Sequence, residues 1–315
     1  MKRLDEIRRS GWRSCIFAGL LFLSSCLPPS ASVRKEGEGA PPFRYAVYYG
    51  DRPLPSLMAG RSWAIVSDTY PLPTPGSNPP SGNVPGGKTL YIAYLSIGEV
   101  DSDGPIARAL ARTPGGESGV FLAENVFWHS HVADIRKEVF RKALYDRIAR
   151  DLRKGFSGVF LDTLDSPLDY EERFPKKGAG LSRALVSFVE TLRASYPRLV
   201  IVGNRGFPVL QELAPSLSGV LFEDFCTRYS ETKKNYVRVS EQERSDFLKT
   251  VDRARATNPD LRLLALDYDD PDHPGVSRGC GKVAKEKGFS HYVSDWRLLR
   301  PVRHLERGPE RSAPG

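Results

Sequence analysis

Five carboxylate positions stand where short apolar runs give out. Asp162 closes Gly158-Val-Phe-Leu-Asp162 and is followed by Thr-Leu-Asp165; Glu223 and Asp224 follow Gly219-Val-Leu-Phe; Asp267 and Asp295 close two later runs, and Glu99 lies just beyond a third. One carboxyl that holds a proton and one that stays ionised can carry out acid/base or nucleophilic work on a glycosidic bond. Asn204-Arg205, at the end of another apolar run, adds an amide and a cation, while Tyr48, Tyr49, Tyr94, Trp128, Tyr268 and Trp296 offer rings that could stack on sugar faces. A single carboxylate can have a plainer use: Asp165, before Ser166-Pro167, fits a helix N-cap.

Other motifs carry less. Gly82-Asn-Val-Pro-Gly-Gly-Lys-Thr89 matches the phosphate-loop pattern letter for letter, but it lies in a proline-rich stretch and precedes a strand instead of opening a helix. No nucleotide is expected. His129-Ser-His131 could place two ligands on one strand face, although a third would have to come from elsewhere. There is no CxxC or HExxH pattern, so no metal or other cofactor is expected.

The elements that must position these groups are legible as apolar runs at 45–49, 64–67, 90–96, 158–162, 199–203, 219–222, 263–266 and 292–294. Most are apolar on both faces, as buried parallel strands are. Helical spacing marks 136–154, 181–196 and 241–257 between them. Eight strands alternating with helices predict an α/β fold, a (β/α)₈ TIM barrel over 43–303, whose strand C-termini form the active face. The stretch 71–88 is too rich in Pro and Gly for a helix, so the second helix should be replaced by a loop. Residues 304–315 read as a disordered tail.

With 40% hydrophobic and 27% charged residues, global disorder is excluded. The net charge of +8 is spread out. Lys2, Arg3, Arg8, Arg9 and Arg13 against Asp5 and Glu6 account for +3 of it, leaving +5 beyond them. No dense basic stripe argues for nucleic acid.

A basic start, the apolar run Cys15–Leu23 and Leu23-Ser-Ser-Cys26 read as a signal peptide over 1–25 with a lipobox. The run is too short to span a bilayer. Acylation of Cys26 would tether a monomer to a membrane in the bacterial cell envelope through the flexible segment 26–42. Cys226 and Cys280 then remain, either paired or as two buried thiols.

Three segments in order carry a resemblance: Tyr91-Ile-Ala-Tyr-Leu-Ser-Ile-Gly-Glu99, Lys154-Gly-Phe-Ser-Gly-Val-Phe-Leu-Asp162-Thr-Leu-Asp165 and Gly219-Val-Leu-Phe-Glu223. Together with Trp128, Asp134-Ile-Arg136 and Asn204 they are similar to glycoside hydrolase family 114, barrel proteins related to endo-α-1,4-polygalactosaminidases. The resemblance covers roughly 42–300. It implies a polysaccharide substrate that is a partly cationic hexosamine polymer, cleaved internally by Asp162 and Glu223. Asp162, beside polar neighbours, is expected to stay ionised as nucleophile or base, and Glu223 to carry the proton as acid. Tyr48, Tyr94, Glu99, Trp128, Asp165, Asn204, Asp267, Tyr268, Asp295 and Trp296 are the expected substrate-binding residues. The competing readings are a glycan-binding protein on an inactive barrel and a structural part of an export system.

Overall fold

The computed structural model describes residues 43–73 and 89–302. The expected signal peptide, Cys26 and its tether, the phosphate-loop match at 82–88 and the tail from 304 lie outside the described residues.

Eight parallel strands form one sheet in sequence order: β1 (Tyr45–Tyr48), β2 (Trp63–Val66), β3 (Leu90–Ser96), β4 (Gly158–Asp162), β5 (Val200–Asn204), β6 (Gly219–Glu223), β7 (Arg262–Tyr268) and β8 (Ser290–Ser294). The sheet curls until its edges meet. Tyr45 and Tyr292 pack ring to ring at 5.8 Å, Ser290 Oγ donates to the Phe43 carbonyl at 3.2 Å, and the Tyr49 amide donates to Leu298 at 3.0 Å. This is the expected (β/α)₈ barrel, nearly closed.

Side chains alternate between two apolar layers, as strand geometry requires. Phe160, Val202, Leu221, Leu264 and Leu266 belong to the cluster that fills the barrel. Val159, Leu161, Ile201, Val220, Phe222, Leu263 and Ala265 pack outward against helical residues such as Phe140, Leu144, Leu185 and Phe188. That parity decides which strand-end residues can reach the mouth.

Around the barrel run α1 (Pro55–Met58), α2 (Pro105–Ala111), α3 (Glu138–Lys154), α4 (Asp165–Arg173), α5 (Leu181–Ser195), α6 (Leu210–Leu213), α7 (Glu241–Thr257) and α8 (Cys280–Glu286). Gly155, left-handed at φ 106°, ends α3, and the Ser240 hydroxyl accepts from the Glu243 amide at 3.1 Å to cap α7. Among the described residues between β2 and β3 there is no helix. Polar and aromatic groups pack there instead: Arg147 of α3 bridges Asp68 at 2.7 Å and Asp151 at 2.6 Å, and Tyr70 lies between Tyr48 and Tyr91.

Two insertions at the strand C-termini are absent from the sequence reading. After β3, Glu99–Asp101, Phe121–Asn125 and Ser130–Ala133 form a small antiparallel sheet with Ser130–Ala133 in the centre. After β6, Thr227–Ser230 and Asn235–Arg238 form a hairpin. Cys226 and Cys280 are disulfide-bonded, with Cα atoms 5.9 Å apart, which resolves the open pairing and ties the base of that hairpin to α8.

Candidate active site

On three consecutive strands the last residue shares the parity of the barrel filling. Asp162 follows Phe160 by two, Asn204 follows Val202, and Glu223 follows Leu221, so all three face the mouth. In each case the next residue is left-handed: Thr163 at φ 60°, Arg205 at 58° and Asp224 at 58°. Non-glycine residues seldom adopt that conformation, and three such outliers side by side mark a functional rim.

The Asn204 amide joins the two carboxylates. Its Nδ2 donates to Asp162 Oδ1 at 2.7 Å and to Glu223 Oε2 at 2.8 Å. One nitrogen at those two distances caps the separation of the two oxygens at their sum, 5.5 Å. Only the nitrogen can face two carboxylates, so this geometry also fixes the orientation of the amide. Tyr268 Oη donates to Glu223 Oε1 at 2.6 Å, and Tyr94 hydrogen-bonds Asp162. Tyr49 packs against Tyr94 with ring centroids 5.0 Å apart.

The sequence reading expected Asp162 to stay readily ionised. Instead, desolvation at the floor of the mouth and the nearby Glu223 charge push it up to about 6, against the hydrogen bonds from Asn204, Thr163 and Tyr94. Burial also holds Tyr49, Tyr94 and Tyr268 well above the usual phenol range, with Asp162 and Glu223 adding to it at Tyr49 and Tyr94, and Glu223 and Asp224 at Tyr268.

Asp165 does not cap its helix. Its carboxylate accepts from the Gly206 amide at 3.0 Å and from Arg205 Nε at 3.1 Å. Burial raises it despite the guanidinium. The Arg205 group lies over Phe207 and Phe247, and the acidic groups Asp165, Asp224 and Glu223 outweigh its own burial to strengthen its charge.

Glu99 reaches the rim because Gly98 lets two strand ends pass in contact: a Cβ there would sit 1.9 Å from the Thr163 carbonyl oxygen. Its carboxylate is buried and accepts from Ser130 Oγ and Ser166 Oγ, both at 2.5 Å, and from Asn125 Nδ2 at 3.2 Å. Glu99 therefore fastens the insertion sheet to the start of α4.

Several expected binding residues are not part of the mouth. Tyr48 has the outward parity and packs against Tyr70; Tyr49, one residue on, is the mouth tyrosine. Asp267 follows Ala265 by two and faces the helix layer. It is fully buried, and it accepts from the amides of Cys226 at 2.6 Å and Thr227 at 2.7 Å and contacts His291 Nε2 at 2.7 Å. Asp295 turns back onto its own loop, taking the Leu299 and Arg300 amides at 2.7 and 2.8 Å. Trp296 stacks on Tyr229 at 5.0 Å and carries Arg297 over its ring, joining β8 to the hairpin. Trp128 sits on an exposed turn of the insertion sheet.

The histidine pair is also separated. His131 packs on Phe121, while His129, left-handed in a turn, contacts exposed Asp103 at 3.3 Å. Among the described residues the one cluster with metal-ligand types is Cys226, Asp267 and Cys280, and its two sulfurs are bonded to each other.

No curated protein matches the chain. Among solved structures, the glycoside hydrolase domain of PelA from Pseudomonas aeruginosa is similar at 28% identity and a TM-score of 0.66, over 82% of this chain and 99% of that one. Ega3 from Aspergillus fumigatus, solved in complex with galactosamine, shares the fold at 12% identity and a TM-score of 0.56, over 83% and 94% of the two chains. The family model for glycoside hydrolase family GH114 matches residues 84–309, and the chain belongs to that family: it is a glycoside hydrolase.

Proposed function

We propose that this protein cleaves a galactosamine-containing polysaccharide internally, using Asp162 and Glu223. The observation that carries the reading is the single Asn204 nitrogen shared by both carboxylates at the floor of the mouth. Facing oxygens of the two carboxyls no more than 5.5 Å apart support a retaining reaction, which uses the closer carboxyl spacing, rather than the wider spacing that admits a water. Asp162 attacks the anomeric carbon while Glu223 gives its proton to the departing glycosidic oxygen. Glu223 then takes a proton from water, whose oxygen displaces Asp162 and restores both groups. These roles rest on the motif resemblance; the geometry treats the two carboxyls alike.

The substrate class is supported by the PelA and Ega3 likeness and by the charge of the mouth, where Asp165, Glu223 and Asp224 gather around one guanidinium, Arg205, and Asp162 stands beside Glu223. Such a mouth suits amino sugars that carry positive charge. In this reading the enzyme is a monomer on a lipid anchor in the bacterial cell envelope, which the apolar run before Leu23-Ser-Ser-Cys26 supports.

The test is reducing-end release from partly deacetylated α-1,4-linked galactosamine polymer, with product sizes followed by mass spectrometry. Internal cleavage gives mixed oligomers from the first time points. Azide should restore turnover to Asp162→Gly with an inverted product; rescue of Glu223→Gly in that way would exchange the two roles. No release from any galactosamine polymer would remove the substrate assignment.

A further inference from the structure

Among the described residues only five large hydrophobic side chains are exposed, and three are consecutive: Val126 at 74%, Phe127 at 43% and Trp128 at 60%. They form the turn between Phe121–Asn125 and Ser130–Ala133 in the insertion sheet. Single exposed apolar residues are ordinary, but three together on one turn indicate a contact surface. Phe127 and Trp128 meet edge to face at 4.8 Å, so the two rings form one unit.

The base of the turn is fixed to the mouth through two residues. Asn125 and Ser130 pair across the sheet and both donate to Glu99, whose own amide donates to Thr163 Oγ1 at 3.1 Å, next to Asp162. A hydrogen-bonded path therefore runs from the floor of the mouth to the aromatic turn.

Its charge selects the occupant. Asp101, Asp103 and Glu124 lie exposed on the same small sheet and its flanking turn, and neither 99–104 nor 121–131 contains a Lys or Arg. Arg108 donates to the Asp103 carbonyl, and His129 Nε2 contacts the Asp103 carboxylate at 3.3 Å. An apolar turn on a sheet that exposes carboxylates is disfavoured at an anionic lipid surface, whereas it matches a polymer that offers apolar sugar faces and ammonium groups.

We propose that Phe127 and Trp128 form a remote subsite for sugar units of a cationic glycan that lie beyond the bond being cut. This inference rests on the substrate class proposed above. The rings stack on sugar faces while Asp101, Asp103 and Glu124 take the ammonium groups. The enzyme therefore prefers long chains, since short oligomers fill the mouth without reaching the turn.

The experiment compares the full chain with its Phe127→Ser/Trp128→Ala form on deacetylated galactosamine polymer and on trimers. The expected result is a kcat/KM roughly tenfold lower on polymer, as for loss of a central aromatic contact, with the trimer rate unchanged. Equal losses on both substrates, or none on either, overturn the subsite. If the parent cuts neither, the substrate reading fails separately. Affinity electrophoresis through the same polymer then decides: retention lost in the double variant supports the subsite, and equal retention overturns it. Binding of a Cys26→Ser chain to anionic vesicles that depends on Trp128, with polymer retention unchanged, would assign the turn to lipid and also overturn it.

Discussion

The mouth of the barrel has two sides that look alike in sequence and differ in use. On β4 to β6 the last residues face inward, meet one another through Asn204 and are followed by three left-handed residues. On β7 and β8 the equivalent acids are turned to scaffolding: Asp267 gathers two backbone amides and His291 behind the sheet, and Asp295 closes a loop. One step of strand parity separates the two. Tyr268, next to Asp267, returns to the mouth and donates to Glu223. An acid at a strand end is thus a candidate for chemistry only when its parity matches the residues that fill the barrel.

Apart from the carboxylate pair itself, the strongest way to break this division is Asn204→Ala. Without the shared donor the pair loses the one contact that holds it together, and turnover should fall on the order of 100-fold or more. Because the amide stabilises the ionised form of Asp162, its removal should also move the acidic limb of the kcat/KM profile to higher pH, which reducing-end assays across pH would record.

Asp267→Asn should act on the other side and through stability. Two buried amides and His291 lose a charged acceptor, a cost of about 3 kcal/mol that should lower the melting midpoint by on the order of 10 °C. Calorimetry measures the midpoint, and the rate per folded molecule should stay within about threefold of the parent, since Asp267 does not face the mouth.

Tyr268→Phe sharpens the comparison within one strand. It removes the donor to Glu223 Oε1 and should lower kcat about tenfold while leaving the midpoint nearly unchanged.

The smallest effect is on pH dependence. Desolvation and Glu223 raise Asp162 to about 6 in the folded chain from an unfolded value of 3.8. Its stabilising contribution is therefore complete below the unfolded value and is lost as pH rises through about 6. The melting midpoint should rise on acidification from 7 toward 5, and Asp162→Asn should reduce that rise. Activity should fall over the same acidification, because the nucleophile Asp162 takes up a proton as pH drops through about 6.

Much of this was legible in the sequence. All eight strands are present near the expected positions, because buried parallel strands advertise themselves as continuous apolar runs. Helices α3, α5 and α7 carry the expected periodicity. The Asp162, Asn204 and Glu223 trio was visible as polar ends on apolar strands. What failed was facing. Tyr48 and Asp267 looked equivalent to Tyr49 and Tyr268 because each pair is adjacent; Tyr48 packs on Tyr70 and Tyr49 on Tyr94, while Tyr268 shares the parity of Leu266. The insertion sheet and the hairpin were not read at all: strands such as Phe121–Asn125 and Asn235–Arg238 are short and half exposed, too brief for alternation to rise above loop composition. Glu99 was found as a rim acid, but its saturation by Asn125, Ser130 and Ser166 depends on contacts across 26 to 67 residues.

The most direct test is the rate of reducing-end release per folded molecule for Glu223→Gln and Asp267→Asn, measured side by side on the same galactosamine polymer. The division of the mouth requires release by Glu223→Gln to fall by on the order of 10³-fold or more, while Asp267→Asn stays near the parent once its folded fraction is counted. Equal losses in the two variants, or turnover retained by Glu223→Gln, would contradict it.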